Sequence, residues 1–140
     1  MTLLSINTIM IVDDDIDDCD IFCEALSDIN PAIECIRVGN GQEALRMLEC
    51  TERLPQLIFL DLNMPRMGGR QCLAEIKKNN RLMHIPVVIY TTSKIGDDVQ
   101  EMRQLGAYDF ITKPFRDTDL KKIIREMLQN LNHFQKGGTA

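Results

Sequence analysis

The sequence predicts a doubly wound α/β domain, a five-stranded parallel sheet with helices on both faces. Two observations carry that expectation. Short apolar runs alternate strictly with amphipathic stretches, five times over, as successive strand–helix units do. The central runs are also apolar throughout, without the every-second-residue polarity of a strand that faces water, which marks strands buried on both sides.

The elements follow in order. Apolar runs near Thr8–Val12, Ile33–Val38, Leu57–Leu60, Val87–Tyr90 and Phe110–Thr112 are the expected strands. Ile16, Cys19, Phe22, Cys23 and Leu26 repeat at helical spacing and stop at Asn30-Pro31. Ala44, Leu45 and Leu48 mark the second helix, ahead of Pro55, and Cys72, Leu73 and Ile76 the third, between Gly68-Gly69 and Asn79-Asn80. Val99, Met102 and Leu105 mark the fourth, with Gly106 just past its end, where a left-handed residue closes a helix. Leu120, Ile123, Ile124, Met127, Leu128 and Leu131 mark the fifth, with Asp117 or Thr118 as its N-cap.

A chain of 140 residues fits one domain, expected over 1–136, with a frayed, disordered tail at 137–140. No apolar run approaches the ~20 residues of a membrane span, and the first ten residues lack the basic start of a signal peptide. A net charge of −5 leaves no basic patch for nucleic acid. The five cysteines, Cys19, Cys23, Cys35, Cys50 and Cys72, are odd in number and irregularly spaced. Without a CxxC or paired histidines they read as small thiols in a reducing cytoplasm, although Cys19 and Cys23 share a helical face.

In a doubly wound sheet, ligands bind beyond the carboxyl ends of the strands. The residues that follow each apolar run are therefore the informative ones. Asp13, Asp14 and Asp15 follow the first, Asp61 the third, Thr91, Thr92 and Ser93 the fourth, and Lys113-Pro114 the fifth. Each is unremarkable alone; the topology gathers them on one rim. Two like charges at 4 Å repel by about 4 kcal/mol at an effective dielectric of 20. Three carboxylates there call for a hard divalent cation with oxygen ligands, Mg²⁺ first and Mn²⁺ as its alternative. A carboxylate beside a metal ion, an ammonium and a hydroxyl is suited to attack phosphorus, giving an aspartyl phosphate. Asp61, at the tip of the most buried strand, is the candidate nucleophile, with Asp13 and Asp14 holding the metal.

These residues, in the segments "IMIVDDD", "LIFLDLNMPRMGG", "VVIYTTS" and "GAYDFITKPF", resemble the receiver (CheY-like) domain of two-component response regulators from about Ile6 to Leu131. The resemblance implies a flavodoxin-like fold of strand order 2-1-3-4-5. It implies that Asp61 is the phosphorylation site, that Asp13 and Asp14 bind the metal with Asp61 and the backbone carbonyl of Asn63, and that Lys113 pairs with the phosphoryl group. It further implies that Thr91 is the switch hydroxyl, that Phe110 occupies the aromatic switch position, and that Lys113–Pro114 is a cis peptide.

Some positions depart from the family pattern. Gly68 replaces an aspartate, which weakens the cap of the third helix, and Thr92 is larger than the usual alanine or glycine. Asn63 and Ser93 occupy positions that tune dephosphorylation, and Phe110 lacks the hydroxyl of the commoner tyrosine. Asp17, Asp18 and Asp20 lie beyond the metal pair and read as a solvated helix start.

As a stand-alone cytoplasmic receiver, the chain would take its phosphoryl group from a sensor histidine kinase or a histidine phosphotransfer protein. It would signal to an unidentified protein through the fourth helix, fifth strand and fifth helix, roughly 97–131, a face that also suits a homodimer. It would be a switch, with only its own phosphorylation and dephosphorylation as chemistry. The alternatives are a receiver-like interaction module that is never phosphorylated and, further off, a phosphatase of the haloacid dehalogenase type. The latter places its DxD nucleophile early and its acidic pair late, the reverse of the order here.

Overall fold

The computed structural model describes residues 6–92 and 96–137, with side chains through 6–92 and 99–131. Five strands, β1 (Thr8–Val12), β2 (Glu34–Val38), β3 (Leu57–Leu60), β4 (Val87–Thr91) and β5 (Asp109–Thr112), alternate with five helices. These are α1 (Ile16–Ile29), α2 (Gly41–Cys50), α3 (Gly69–Lys78), α4 (Gly96–Gln104) and α5 (Asp117–Gly137). All neighbouring strands are parallel, in the order β2-β1-β3-β4-β5.

The apolar runs without alternation are explained by two cores, one on each face of the sheet. Ile9, Ile11, Leu57, Phe59, Val88 and Tyr90 face α1 and α5, where the Phe22 ring packs at a tilt against those of Phe59 and Tyr90. Met10, Val12, Ile58, Leu60, Val87 and Ile89 face the other way, toward α2, α3 and Met102 of α4. Every residue of β3 is buried, so Asp61 stands at the end of a strand enclosed on both faces.

Helix ends follow local chemistry. Asp15 caps α1 by accepting from the Asp18 amide, and Asn40 caps α2 by accepting from that of Glu43. Gly68 precedes α3 with no side-chain cap bond, as its replacement of an aspartate foretells. Gly106 has φ +105°, the left-handed closure expected after α4. α5 begins at Asp117, so that residue lies inside the first turn and not before it. The same helix runs through Gly137, where the frayed tail was expected to have begun; residues 138–140 and Ser93 lie outside the described residues.

Two sequence expectations are corrected. Among the described residues no peptide bond is cis, so Lys113–Pro114 is trans. A trans X–Pro bond is favoured by about 0.5–1 kcal/mol, and the four-carbon stem of Lys113 reaches the carboxylates from it. Cys23 and Cys35, read as free thiols, form a disulfide with Cα atoms 5.9 Å apart. It exists because α1 packs over the edge strand β2 and brings together two residues 12 apart in sequence. Cys19 and Cys72 remain buried thiols, and Cys50 is an exposed one.

Candidate functional site

The strand order reverses between β1 and β3: the chain leaves β1 for β2 on one side and returns to β3 on the other. That crevice is where an open parallel sheet offers a site at the carboxyl ends of its strands. Val12 and Leu60 are partners in register, so the residues that follow them, Asp13 and Asp61, emerge side by side. Backbone bonds hold both: the Asp13 amide donates to the Val38 carbonyl (2.9 Å) and that of Asp61 to the Val12 carbonyl (3.0 Å). On the neighbouring pair, Thr91 lies opposite Thr112, and the Lys113 amide donates to the Thr91 carbonyl at 2.8 Å.

Three of the predicted acids come together. One carboxylate oxygen from each of Asp13, Asp14 and Asp61 lies within 4.8 Å of the others. Asp13 and Asp61 are buried, at 2% and 7% exposure, whereas Asp14 is exposed. Burial pushes the Asp13 carboxyl above the usual carboxylate range, against the pull of hydrogen bonds from Lys113 and the Asp15 amide. A carboxylate set of this size, open on the Asp14 side, suits a hard divalent cation that keeps several waters.

Lys113 supplies the fixed positive charge. Its side chain is only 10% exposed, and the ammonium donates to Asp13 Oδ2 at 2.6 Å and to Asp18 Oδ2 at 2.7 Å. Asp61 Oδ2 lies at 3.8 Å, too far for a hydrogen bond but close enough for charge attraction. Burial alone would lower the lysine's proton affinity; the bonds it donates to Asp13 and Asp18, with the charge of Asp61, outweigh it and hold the ammonium above its ordinary range. Beneath it, the Tyr90 ring centroid lies 5.7 Å from Nζ.

The remaining expected residues are placed less centrally. Thr91 is fully buried as the last residue of β4 rather than the first beyond it. Phe110 is half-buried and packs against the core formed with α2, α3 and α4. Asn63 and Thr92 are exposed at the rim. Two contributors escaped the sequence reading. Asp18, expected to be solvated, is bonded to Lys113. Gly69, in the sequence only a boundary of the third helix, lies so close to the strand that a Cβ there would sit 2.3 Å from the Asp61 carbonyl oxygen. The first pairing spans 95 positions and leaves no local signal; the second is foreshadowed by the glycine pair after the Asp61 loop.

The family profile for "Response regulator receiver domain" matches residues 9–125. Response regulator Rcp1 of Synechocystis is 36% identical over 122 residues, 84% of this chain and 83% of its own. The probable methanogenesis regulatory protein FilR2 of Methanothrix harundinacea is 36% identical over 97 residues; the match spans 68% of this chain but only 63% of FilR2. Among solved structures, the phosphorylated cyanobacterial phytochrome response regulator RcpA superposes with a TM-score of 0.81 at 34% identity, over 88% of this chain and 91% of its own. The Mn²⁺-bound form of Rcp1 does so with a TM-score of 0.76 at 35% identity, over 92% and 94%. With the sheet order, the acidic crevice and these likenesses in agreement, the chain belongs to the response regulator receiver domain family, the signalling switches of two-component systems.

Proposed function

We propose that Asp61 is the phosphoryl acceptor and that Asp13, Asp14, Asp61 and the Asn63 carbonyl hold Mg²⁺, with Mn²⁺ able to replace it. The observation that carries this reading is the convergence of the Asp13, Asp14 and Asp61 oxygens within 4.8 Å beside a buried ammonium. An Asp61 carboxylate oxygen attacks the phosphorus of a phosphohistidine on a sensor kinase or phosphotransfer protein. The P–N bond breaks, and the imidazole leaves with its electron pair and takes up a proton. The metal, when bound, offsets charge on the transferring phosphoryl oxygens. Asp61 is aimed by its fully buried strand, so orientation costs little at the moment of reaction. Lys113, already 3.8 Å from Asp61, receives the added negative charge.

The readout then passes through Thr91 and Phe110. The Thr91 hydroxyl turns to the phosphoryl oxygens, and Phe110, half-buried against the core that includes Met102 of α4, moves into the space it leaves. The face of α4, β5 and α5 is thereby biased toward one of two arrangements, on which a downstream protein or a second copy packs. The reading requires the compartment in which kinases present phosphohistidine, the cytoplasm.

The test is phosphorylation by acetyl phosphate with Mg²⁺, followed by intact mass. The native chain gains one phosphoryl group and Asp61→Asn gains none. Stoichiometric labelling of Asp61→Asn would overturn the assignment.

A further inference from the structure

Lys113 is shared unequally. An ammonium has three donors, and in this structure two of them point at Asp13 and Asp18 with short bonds, while Asp61 is left at 3.8 Å. Asp18 is not a loop residue that drifted near. It lies in the first turn of α1, where its own amide donates to the capping Asp15 carboxylate at 3.1 Å. The Asp15 amide in turn donates to Asp13 Oδ1 at 2.9 Å. The seat that Asp18 offers is therefore fixed to the same frame as the metal-site acids, and its side chain is one-third exposed where that of Lys113 is nearly enclosed.

We propose that Asp18 is a positioning residue that holds the Lys113 ammonium in a resting seat and competes for it with the phosphoryl group on Asp61. The inference rests on Asp61 being the acceptor. A hydrogen bond from Lys113 to a phosphoryl oxygen on Asp61 needs about 2.8 Å between heavy atoms, so the ammonium, now bonded to Asp13 and Asp18 and 3.8 Å from Asp61 Oδ2, is drawn toward that group and loosens its hold on Asp18. A phosphoryl group draws the ammonium forward and Asp18 draws it back. Removing the Asp18 charge takes away the restraint and favours the phosphoryl-bound state, by about fivefold for an ion pair of this exposure.

Beryllofluoride, a non-covalent stand-in for the phosphoryl group, makes the competition measurable at equilibrium. Its affinity is read by ¹⁹F NMR in excess Mg²⁺ for the native chain, Asp18→Asn, Asp17→Asn and Asp18→Glu. Asp17→Asn removes the same charge from the same helix turn at an exposed position and controls for net charge and helix dipole. The expected result is affinity about fivefold higher in Asp18→Asn, a change under about twofold in Asp17→Asn, and a return toward native affinity in Asp18→Glu. A loss of cap or fold in Asp18→Asn would lower affinity, which is the opposite sign. Equal behaviour of the Asp18→Asn and Asp17→Asn variants, or weaker binding by the former, overturns the role of Asp18. A native chain that binds no beryllofluoride and takes no phosphoryl group from acetyl phosphate overturns the acceptor reading instead, and the competition with it.

Discussion

Substituting Gly69 by alanine tests how tightly the fold clamps the site. Alanine normally gains about 1 kcal/mol over glycine within a helix, so a change at the first residue of α3 looks favourable. The geometry reverses that expectation. A Cβ on Gly69 would meet the Asp61 carbonyl oxygen at 2.3 Å, the Leu62 Cα at 2.8 Å and the Asp61 carbonyl carbon at 3.0 Å. All three are backbone atoms, so no side chain can swing aside. Reaching an ordinary contact of 3.4 Å requires α3 and the end of β3 to separate by about 1.1 Å. The Gly69 amide bond to the Leu62 carbonyl, now 3.0 Å, resists that separation. Overpacking against an unyielding neighbour costs about 1–3 kcal/mol. With the helix gain subtracted, a net loss of up to about 2 kcal/mol is expected in urea unfolding.

The displacement matters more for chemistry than for stability, because the strand being pushed carries Asp61. A misplacement of about 1 Å at a reacting group can cost about a hundredfold in rate. Gly69→Ala should therefore remain folded but accept phosphoryl groups from acetyl phosphate 10- to 100-fold more slowly. Native-like stability together with a native-like rate would show that α3 yields freely, and would refute the account of a rigidly clamped acceptor.

Two other expectations are open to direct measurement. Arg66, exposed at φ +67° in the loop after β3, pays for a left-handed backbone that asparagine tolerates better. Arg66→Asn should therefore raise stability by about 0.5–1 kcal/mol in urea unfolding, and an unchanged midpoint would argue against strain there. Without reductant, iodoacetamide should modify Cys50 first, since burial pushes the Cys19 thiol up to about 11 and that of Cys72 to about 12. Reduction of Cys23–Cys35 should expose two further thiols to alkylation after unfolding and cost up to about 3 kcal/mol, as for a loop of this length; an unchanged thiol count would show that the pair is not bonded.

What was legible in the sequence was whatever has a local cause. β3 matches the apolar run Leu57–Leu60 residue for residue, and Gly106 and Asn30 close their helices where their chemistry says they should. The acids on the rim were found because topology alone brings strand ends together. What escaped were pairings between distant segments. Nothing near Asp18 announces that it bonds a lysine 95 positions away, and the Cys23–Cys35 pair depends on how α1 lies across β2. Thr91 was misplaced by one residue because the strand continues by pairing Thr91 with Thr112, a partner invisible in the run Val87–Tyr90.

The charges of the site then set an order among its occupants. Asp13 is the crossing point, since its Oδ2 now receives Lys113 while its carboxylate also belongs to the acidic trio. A divalent cation seated on that trio repels the ammonium and draws on the same Asp13 charge. Lys113 must then lean more on Asp18 or on Asp61. Without a phosphoryl group, Asp18 at 2.7 Å is nearer than Asp61 at 3.8 Å, so metal binding should strengthen the resting seat rather than empty it. A phosphoryl group on Asp61 adds about 1.5 to 2 negative charges on the other side of the same ammonium and tips the balance back. The metal and the phosphoryl group therefore act on Lys113 in opposite directions. On the proposed reading the lysine therefore moves toward Asp61 only once a phosphoryl group is present, against the pull of the metal, which would tie the conformational signal to phosphorylation and not to metal binding alone.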